Sequence, residues 1–378
     1  MLTYKYRLYP TKNQTNRLNN TLDTCKVLYN SYLLDRKNTY IRTKKGLTYN
    51  EQSSILSEDK QRIDFLNNIH SQVLQDVLKR VDKAFKNFFR RVKENRDKVG
   101  YPRFKNHSYN SITYPQSGFE IINNNLKLSK IGHIKIKYHR QLEGKMKTCT
   151  IRKSATGKWY ASFSCKTLPN PLPISDKTIG IDVGLTSFAT FSDGSKINNP
   201  RFFRKEEKAL AKAQRKLSKQ VKGTPERYRF KKVVSKIYER ITNKRVNFAH
   251  QESKKIVDNF GTISIEDLNI KSMLSNHTKV FGNKLNKSIM DAAWNQFILY
   301  LTYKAENAGR NLIKINPAYT SQICSQCGLI VKKTLNVRVH NCPKCNISIN
   351  RDHNASLNIL ALGIQSIGTQ SIEAPSYL

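Results

Sequence analysis

The sequence predicts a multidomain protein: an all-β unit with helices inserted into it, then an α/β half carrying its own small metal-binding insertion. Three observations predict it. Short runs alternating at period two fill residues 100–168, whereas from Lys177 onward such runs are interleaved with long helical patterns. A stiff segment, Pro169 to Pro173 (PNPLP), separates the two halves. Four of the seven cysteines form two Cys-x-x-Cys pairs within the second half.

Residues 1–10 alternate at period two and read as a strand stopped by Pro10. Thr11 and Gln14 fit a capping box opening a helix that carries Leu18, Leu22, Cys25, Tyr29 and Tyr32 on one face. Residues 36–60 are polar and Lys-rich. A second long helix is expected from about Ile63 to Glu94, with a stripe from Leu66 through Val77 and Phe85 to Val92 that reads as bundle core. Strands follow at Phe119 to Ile122, Leu126 to Leu128, His133 to Tyr138, Cys149 to Arg152 and Trp159 to Lys166. They make a small barrel that the opening strand can complete. In the second half, strands are expected at 178–183, 186–192 and 196–198, then helices at 203–221 and 227–257. A strand at 262–266, a helix from Ile289 to Asn307 and a strand at 311–316 come next. A last helix starts near Asp352, and the Ser/Gly/Thr-rich tail 363–378 reads as flexible.

The chain has 67 Lys and Arg against 27 Asp and Glu, a formal net charge of +40 over 378 residues. With 38% hydrophobic residues it buries real cores, so the charge does not mean disorder. It means a polyanionic partner. No apolar run approaches the roughly 20 residues that span a bilayer, and no signal-peptide core opens the chain. A cytoplasmic, nucleoid-associated protein without membrane partners is expected. A ribosomal or membrane-surface protein is the plainer alternative, but it gives no reason for the acidic residues below.

Cys324, Cys327, Cys342 and Cys345 have the spacing of a four-cysteine zinc ribbon. Four thiolates fill a tetrahedral shell, so the zinc is structural and His340 reads as a surface residue. Cys25, Cys149 and Cys165 read as buried thiols.

In so basic a chain, acids inside apolar strands stand out. Asp182 lies in Ile179-Gly180-Ile181-Asp182-Val183, Glu266 ends Ile263-Ser264-Ile265-Glu266, and Asp352 opens the last helix. On the element order above they occupy the three positions of an RNase H-like site: first strand, end of the fourth strand, last helix. Three converging carboxylates repel one another and demand cations, such as a pair of Mg²⁺ ions about 3.5–4 Å apart. Asp267 is an alternative ligand, but strand alternation puts it on the face opposite Glu266.

These segments resemble the TnpB family of transposon-encoded RNA-guided nucleases, related to the compact type V CRISPR effectors. The matching stretches are YKYRLYPTKNQ (4–14), YPRFKN (101–106), GIDVGL (180–185), ISIEDLN (263–269), SIMDAAWNQFILYLTYKAE (288–306), YTSQICSQCG (319–328) and NRDHNASLNIL (350–360). The resemblance implies a RuvC nuclease over 171–319 and 350–362 with catalytic Asp182, Glu266 and Asp352. It implies a zinc-ribbon target-nucleic-acid domain at 320–349. It also implies a wedge-type β-barrel over 1–10 and 96–170, with a helical recognition lobe at 11–95 inserted. A transposon-derived guide RNA would direct one copy of the protein to double-stranded DNA beside a short adjacent motif. Asn350 departs from the family's usual acid two residues before the last carboxylate. Arg7, Tyr101, Arg103 and Lys105 match basic–aromatic wedge motifs and are candidates for RNA or duplex contact. Residues 201–260 hold 19 Lys and Arg against 6 Asp and Glu, a basic stretch suited to phosphate backbones. The alternatives are an RNA-guided repressor that binds without cutting, and a strand transferase or transposase accessory protein.

Overall fold

The computed structural model describes residues 1–95, 99–106, 109–275, 279–334 and 336–372. The chain divides into two units, Met1–Thr167 and Leu168–Leu378.

In the first unit, β1 (Leu2–Tyr9) buries Tyr4, Tyr6 and Leu8 on one face, as its alternation requires. Thr11 and Gln14 form the capping box that starts α1 (Lys12–Thr43). The polar stretch after it holds an unexpected helix, α2 (Tyr49–Arg62). Its sequence sign was a second capping box, Thr48 with Glu51. The single long helix expected from Ile63 is also corrected. Non-helical backbone at Ile63 (φ −122°, ψ 90°) stops α2, residues 64–68 make a short 3₁₀ helix, and α3 runs only over Ser71–Lys93.

The strands β2 (Ser111–Tyr114), β3 (Phe119–Ile122), β4 (Asn125–Leu128), β5 (Gly132–Lys137), β6 (Lys145–Lys153) and β7 (Trp159–Lys166) join β1 in one sheet, ordered β2-β6-β7-β1-β5-β4-β3. The opening strand therefore lies mid-sheet, antiparallel to both β7 and β5. Among the described residues no ladder joins the edge strands β2 and β3, so the expected barrel is not closed by hydrogen bonds. Arg80 of α3 covers the β2 edge instead, donating from Nη1 to the Ser111 carbonyl (2.8 Å) and from Nη2 to Thr113 Oγ1 (2.9 Å). The apolar faces of α1 and α3 and the inner face of the sheet share one core. Cys25, Cys149 and Cys165 lie in it.

The second unit is built on β8 (Thr178–Val183), β9 (Ser187–Phe191), β10 (Lys196–Asn198), α4 (Phe202–Ser218), α5 (Pro225–Asn259), β11 (Thr262–Glu266), α6 (Ile270–Ser275), α7 (Lys279–Ala292), α8 (Trp294–Ala308), β12 (Asn311–Ile315), β13 (Val339–Asn341), β14 (Ser348–Asn350) and α9 (Arg351–Ile372). Its sheet runs β10-β9-β8-β11-β12, with β8, β11 and β12 parallel and the β8-β9-β10 meander antiparallel. One helix expected at 289–307 is two, because Ala293 adopts a left-handed conformation (φ 55°) between α7 and α8.

Ile179, Ile181, Ile263 and Ile265 pack on one face of the sheet with Val257 of α5 and Phe297 of α8. Alternation turns Gly180, Asp182, Ser264 and Glu266 to the other face, where α9 lies. The approach is close. A Cβ at Gly180 would collide with the Ser356 carbonyl, and one at Gly363 with the Ser264 hydroxyl. That packing carries α9 through residues expected to fray. The tail expected to be flexible over 363–378 is helical to Ile372, and 373–378 lie outside the described residues. No described helix is long and apolar enough to cross a membrane.

Candidate active site and zinc-ligand cluster

The parallel register Ile265↔Ile181 places Glu266 and Asp182 side by side, one step further along their strands. Both follow β-branched residues that fix the strand, and both face α9. Asp352 enters at the first turn of α9, where the Asn350 side chain accepts from the backbone N–H of Asp352 (3.0 Å) and His353 (3.3 Å). His353 Nε2 also reaches the Ser192 carbonyl (3.2 Å), fixing the helix start against the loop after β9.

The Asp182 carboxyl senses the other two. Burial first, then the charges of Glu266 and Asp352, push the Asp182 carboxyl up to about 8, against a pull from Arg351. Burial likewise raises Glu266, opposed by a 2.6 Å hydrogen bond that Thr320 Oγ1 donates to its Oε1. Asp352 holds Arg351 Nη2 at 3.3 Å and Arg338 Nη1 at 3.9 Å. Asp267 is exposed, whereas Glu266 beside it is buried.

The four cysteines are gathered more tightly. Their sulfurs all lie within 4.8 Å of one another, with Cys324–Cys345 and Cys327–Cys342 at 3.5 Å. A tetrahedral zinc with Zn–S bonds of about 2.3 Å needs sulfurs about 3.8 Å apart, so the set fits that ion. The two knuckles are built alike. In each, the fourth residue after the first cysteine is left-handed (Gly328 φ 74°, Asn346 φ 58°) and donates its N–H to that cysteine's carbonyl at 3.0 Å. Backbone N–H groups of Cys345 and Lys344 aimed at Cys342 pull its thiol well below the usual range. His340 is not the surface residue expected. It is fully buried on β13 and its Nδ1 receives Lys333 Nζ. Burial and that ammonium lower its pKa, which suits a neutral acceptor.

A buried polar chain joins the two groups. Ser325 N–H donates to Asn354 Oδ1 (3.0 Å), and Asn354 Nδ2 donates to the Ile323 carbonyl (2.7 Å). Asn358, one turn along α9, donates from Nδ2 to the carbonyls of Ile323 (2.7 Å) and Thr320 (2.8 Å). Thr320 then holds Glu266. None of Thr320, Asn354 and Asn358 was picked out from the sequence. Their only sign there is an Asn pair at i and i+4 just after Asp352.

Against known proteins, a family model described as "Probable transposase" matches residues 162–277, a "Cas12f1-like, TNB domain" model matches 294–359, and a "Helix-turn-helix domain" model matches 1–45. That last span is one strand and one helix here. The "Putative RNA-guided DNA endonuclease" of Streptomyces pristinaespiralis is 35% identical over 370 residues, covering 96% of this chain and 89% of the relative. The "Putative RNA-guided DNA endonuclease InsQ" of Escherichia coli is 30% identical over 375 residues, covering 95% and 92%. The chain belongs to the TnpB family.

The fold relation extends further. A solved chain titled "Cryo-EM structure of the Cas12f1-sgRNA-target DNA complex" aligns with a TM-score of 0.55 over 92% of this TnpB-family chain and 82% of that one, at 14% identity. The candidate nucleic-acid contacts do not form one group. Arg7 is half-buried on the outer face of the sheet, donating to the Leu8 (3.0 Å) and Trp159 (2.7 Å) carbonyls and stacking on Tyr9 and Tyr160. Tyr101 sets its ring edge-on to Phe85 and Phe88. Lys105 lies over the Tyr29 ring, its backbone clamped by the Asn30 amide (2.7 and 2.8 Å). Arg103 is exposed.

Proposed function

We propose that this protein is an RNA-guided DNA endonuclease of a transposable element, with Asp182, Glu266 and Asp352 as its catalytic carboxylates. The observation that carries this reading is the burial of the Asp182 carboxyl beside Glu266 and Asp352, whose charges help push it up to about 8, in a chain of net charge +40. Carboxyls crowded in this way either keep a proton or take a cation between them, and so strong a basic charge around them favours a site built for the cation and its phosphate. Hard carboxylate oxygens suit Mg²⁺, and a pair of such ions suits phosphodiester hydrolysis. Bound there, Mg²⁺ supplies the positive charge that makes water nucleophilic at neutral pH and offsets charge on the leaving oxygen.

The protein's own residues prepare that site. Glu266 is oriented by Thr320, Asp352 is fixed by the capped start of α9, and Arg351 balances part of the negative charge. Hydrolysis joins a water oxygen to phosphorus and breaks the bond to the 3′-oxygen. Zinc in the four-cysteine cluster is structural, because four thiolates leave no open position. The guide RNA and target DNA are gathered by positive charge. The antiparallel pair α4 and α5 holds its small core (Leu210, Ala213, Ile237, Ile241) inside and most of the Lys and Arg of 201–260 outside. Backbone charge gives affinity, and base pairing to the guide reads sequence. Wedge and recognition roles for the two halves of the first unit belong to the same reading.

The test is plasmid cleavage by the protein copurified with its own RNA. A plasmid bearing the guide-matched target and adjacent motif is cut in Mg²⁺, and Asp182→Ala abolishes cutting while retaining target binding. No cutting by the wild type overturns the reading.

A further inference from the structure

Thr320 and Asn358 lie at the junction between the cysteine cluster and the carboxylates, and neither is a ligand of either. Thr320 is 3% exposed and Asn358 8%. Every donor group named in the chain from Ser325 to Glu266 has an acceptor. Asn354 accepts from one knuckle N–H and donates to a knuckle carbonyl. Asn358 spends both amide hydrogens on carbonyls, and Thr320 spends its hydroxyl hydrogen on the carboxylate. Buried amides so fully used have few alternative rotamers. The chain starts beside Cys324, so the shape of the first knuckle is passed, contact by contact, to one carboxylate oxygen.

We propose that Thr320 and Asn358 are positioning residues through which the zinc knuckle sets the orientation of the Glu266 carboxylate for divalent-cation binding. The proposal rests on the assignment of Glu266 as a metal ligand. A carboxylate held by a buried hydroxyl presents its second oxygen in a fixed direction. Without that hydrogen bond it can rotate about its last torsion, which is broad and roughly two-fold. Groups that orient a metal ligand typically matter 10–100-fold in metal affinity or activity. The relay also couples two metals of different chemistry. Zinc binding shapes the knuckle, the knuckle places α9 and Thr320, and the nuclease ions feel the result. On this view the ribbon is part of the support for catalysis as well as a surface for nucleic acid.

The experiment compares Thr320→Val, Thr320→Ser and Asn358→Leu in the zinc-loaded full chain. Mn²⁺ affinity is measured by calorimetry without nucleic acid, and the Mg²⁺ concentration for half-maximal cleavage is measured in the guide complex. Thr320→Val keeps the shape and loses the donor, so Mn²⁺ binds about tenfold more weakly and half-maximal cleavage needs about tenfold more Mg²⁺. Thr320→Ser keeps the donor and stays within about twofold of wild type. Asn358→Leu touches neither metal's ligands. It weakens Mn²⁺ binding in the same way while zinc content stays at one per chain. Introducing Cys342→Ser on top of Thr320→Val costs less Mn²⁺ affinity than introducing it alone, because the relay is already cut. Wild-type Mn²⁺ affinity in Thr320→Val, or strict additivity with Cys342→Ser, overturns the relay. If the wild-type complex fails to cut while Thr320→Val still weakens Mn²⁺ binding and Thr320→Ser does not, the relay stands and the endonuclease reading falls.

Discussion

The four-cysteine cluster and the three-carboxylate group reach their geometry by opposite routes. The cysteines lie within 22 residues of one another, and each pair is shaped by its own turn, with a left-handed residue and a return hydrogen bond. The carboxylates come from β8, β11 and α9, more than 80 residues apart at each step, and meet because a sheet register and a close helix contact bring them together. The first group is local and, on the proposed function, completed by an ion. The second is assembled by the fold, where burial and neighbouring charge raise the Asp182 carboxyl. Removing metal should therefore loosen the first and relax the second.

The largest effect expected is at the cysteines. Structural zinc binding is also folding free energy, about 10–16 kcal/mol in isolated zinc-finger peptides at neutral pH. Stripping zinc, or Cys342→Ser, should abolish hydrogen-exchange protection in β13, β14 and both knuckles while leaving β8, β11 and β12 protected. If the central sheet loses protection to the same degree, the ribbon is not a local element and the contrast fails.

Next comes the pH response of the carboxylates. The folded-state pKa values of Asp182 and Glu266 lie above their unfolded values, and Asp182 reaches about 8. The folded state then binds more protons than the unfolded one between about pH 4 and 8, so stability falls as pH rises through that window. Melting temperatures of the metal-free protein should decline from pH 5 to 8 more steeply than those of Asp182→Asn, which cannot ionise. Saturating Mg²⁺ should remove most of the difference. Parallel curves for the two proteins without metal would show that Asp182 carries no such strain. The difference between variants is the quantity to read, because a net charge of +40 adds its own pH dependence to both.

The same contrast explains what was legible in the sequence. Cys-x-x-Cys pairs and a lone acid in an apolar β-run are short-range patterns, so the four cysteines that the fold gathers, and Asp182 and Glu266 side by side on the sheet, could be singled out from the sequence, as could the strands that carry them. Thr320, Asn358 and buried His340 were not, because each owes its role to a partner 35 to 54 residues away or to burial that no local pattern encodes. The helix break at Ala293 is similar. An alanine in the left-handed region runs against its own propensity, and only tertiary packing holds it there. That no ladder joins β2 and β3 among the described residues could not be read from local alternation either, because the β2 edge is covered by Arg80, a helix residue 31 positions away.

Gly180→Ala tests whether the fold alone assembles the carboxylates. The added methyl would meet the Ser356 carbonyl, so α9 must move away from β8. Overpacking of this kind costs about 1–3 kcal/mol, a melting shift on the order of 5 °C in a unit this size. The displaced helix carries Asp352 with it, so cleavage should fall more than tenfold at temperatures where the variant is fully folded. Zinc content should not change. A variant that melts lower but cuts normally would mean that the carboxylate geometry tolerates helix movement.

The smallest effect is expected at Asn350, where two terms oppose. Its side-chain oxygen caps α9 by accepting from the N–H of Asp352 and His353, and aspartate caps about as well as asparagine. A negative charge at that position gains from the helix dipole, worth about 0.3–1 kcal/mol at an exposed site. It loses by standing two residues from Asp352, in a group already short of positive charge. Arg351 and Arg338 lie close enough to Asp352 to screen part of that repulsion. Asn350→Asp should therefore change the melting temperature of the metal-free protein by less than about 2 °C, while Mg²⁺, which relieves the repulsion, should stabilise the variant more than the wild type. A variant destabilised equally with and without Mg²⁺ would place the cause in the cap, and the carboxylate group would then extend no further than its three members.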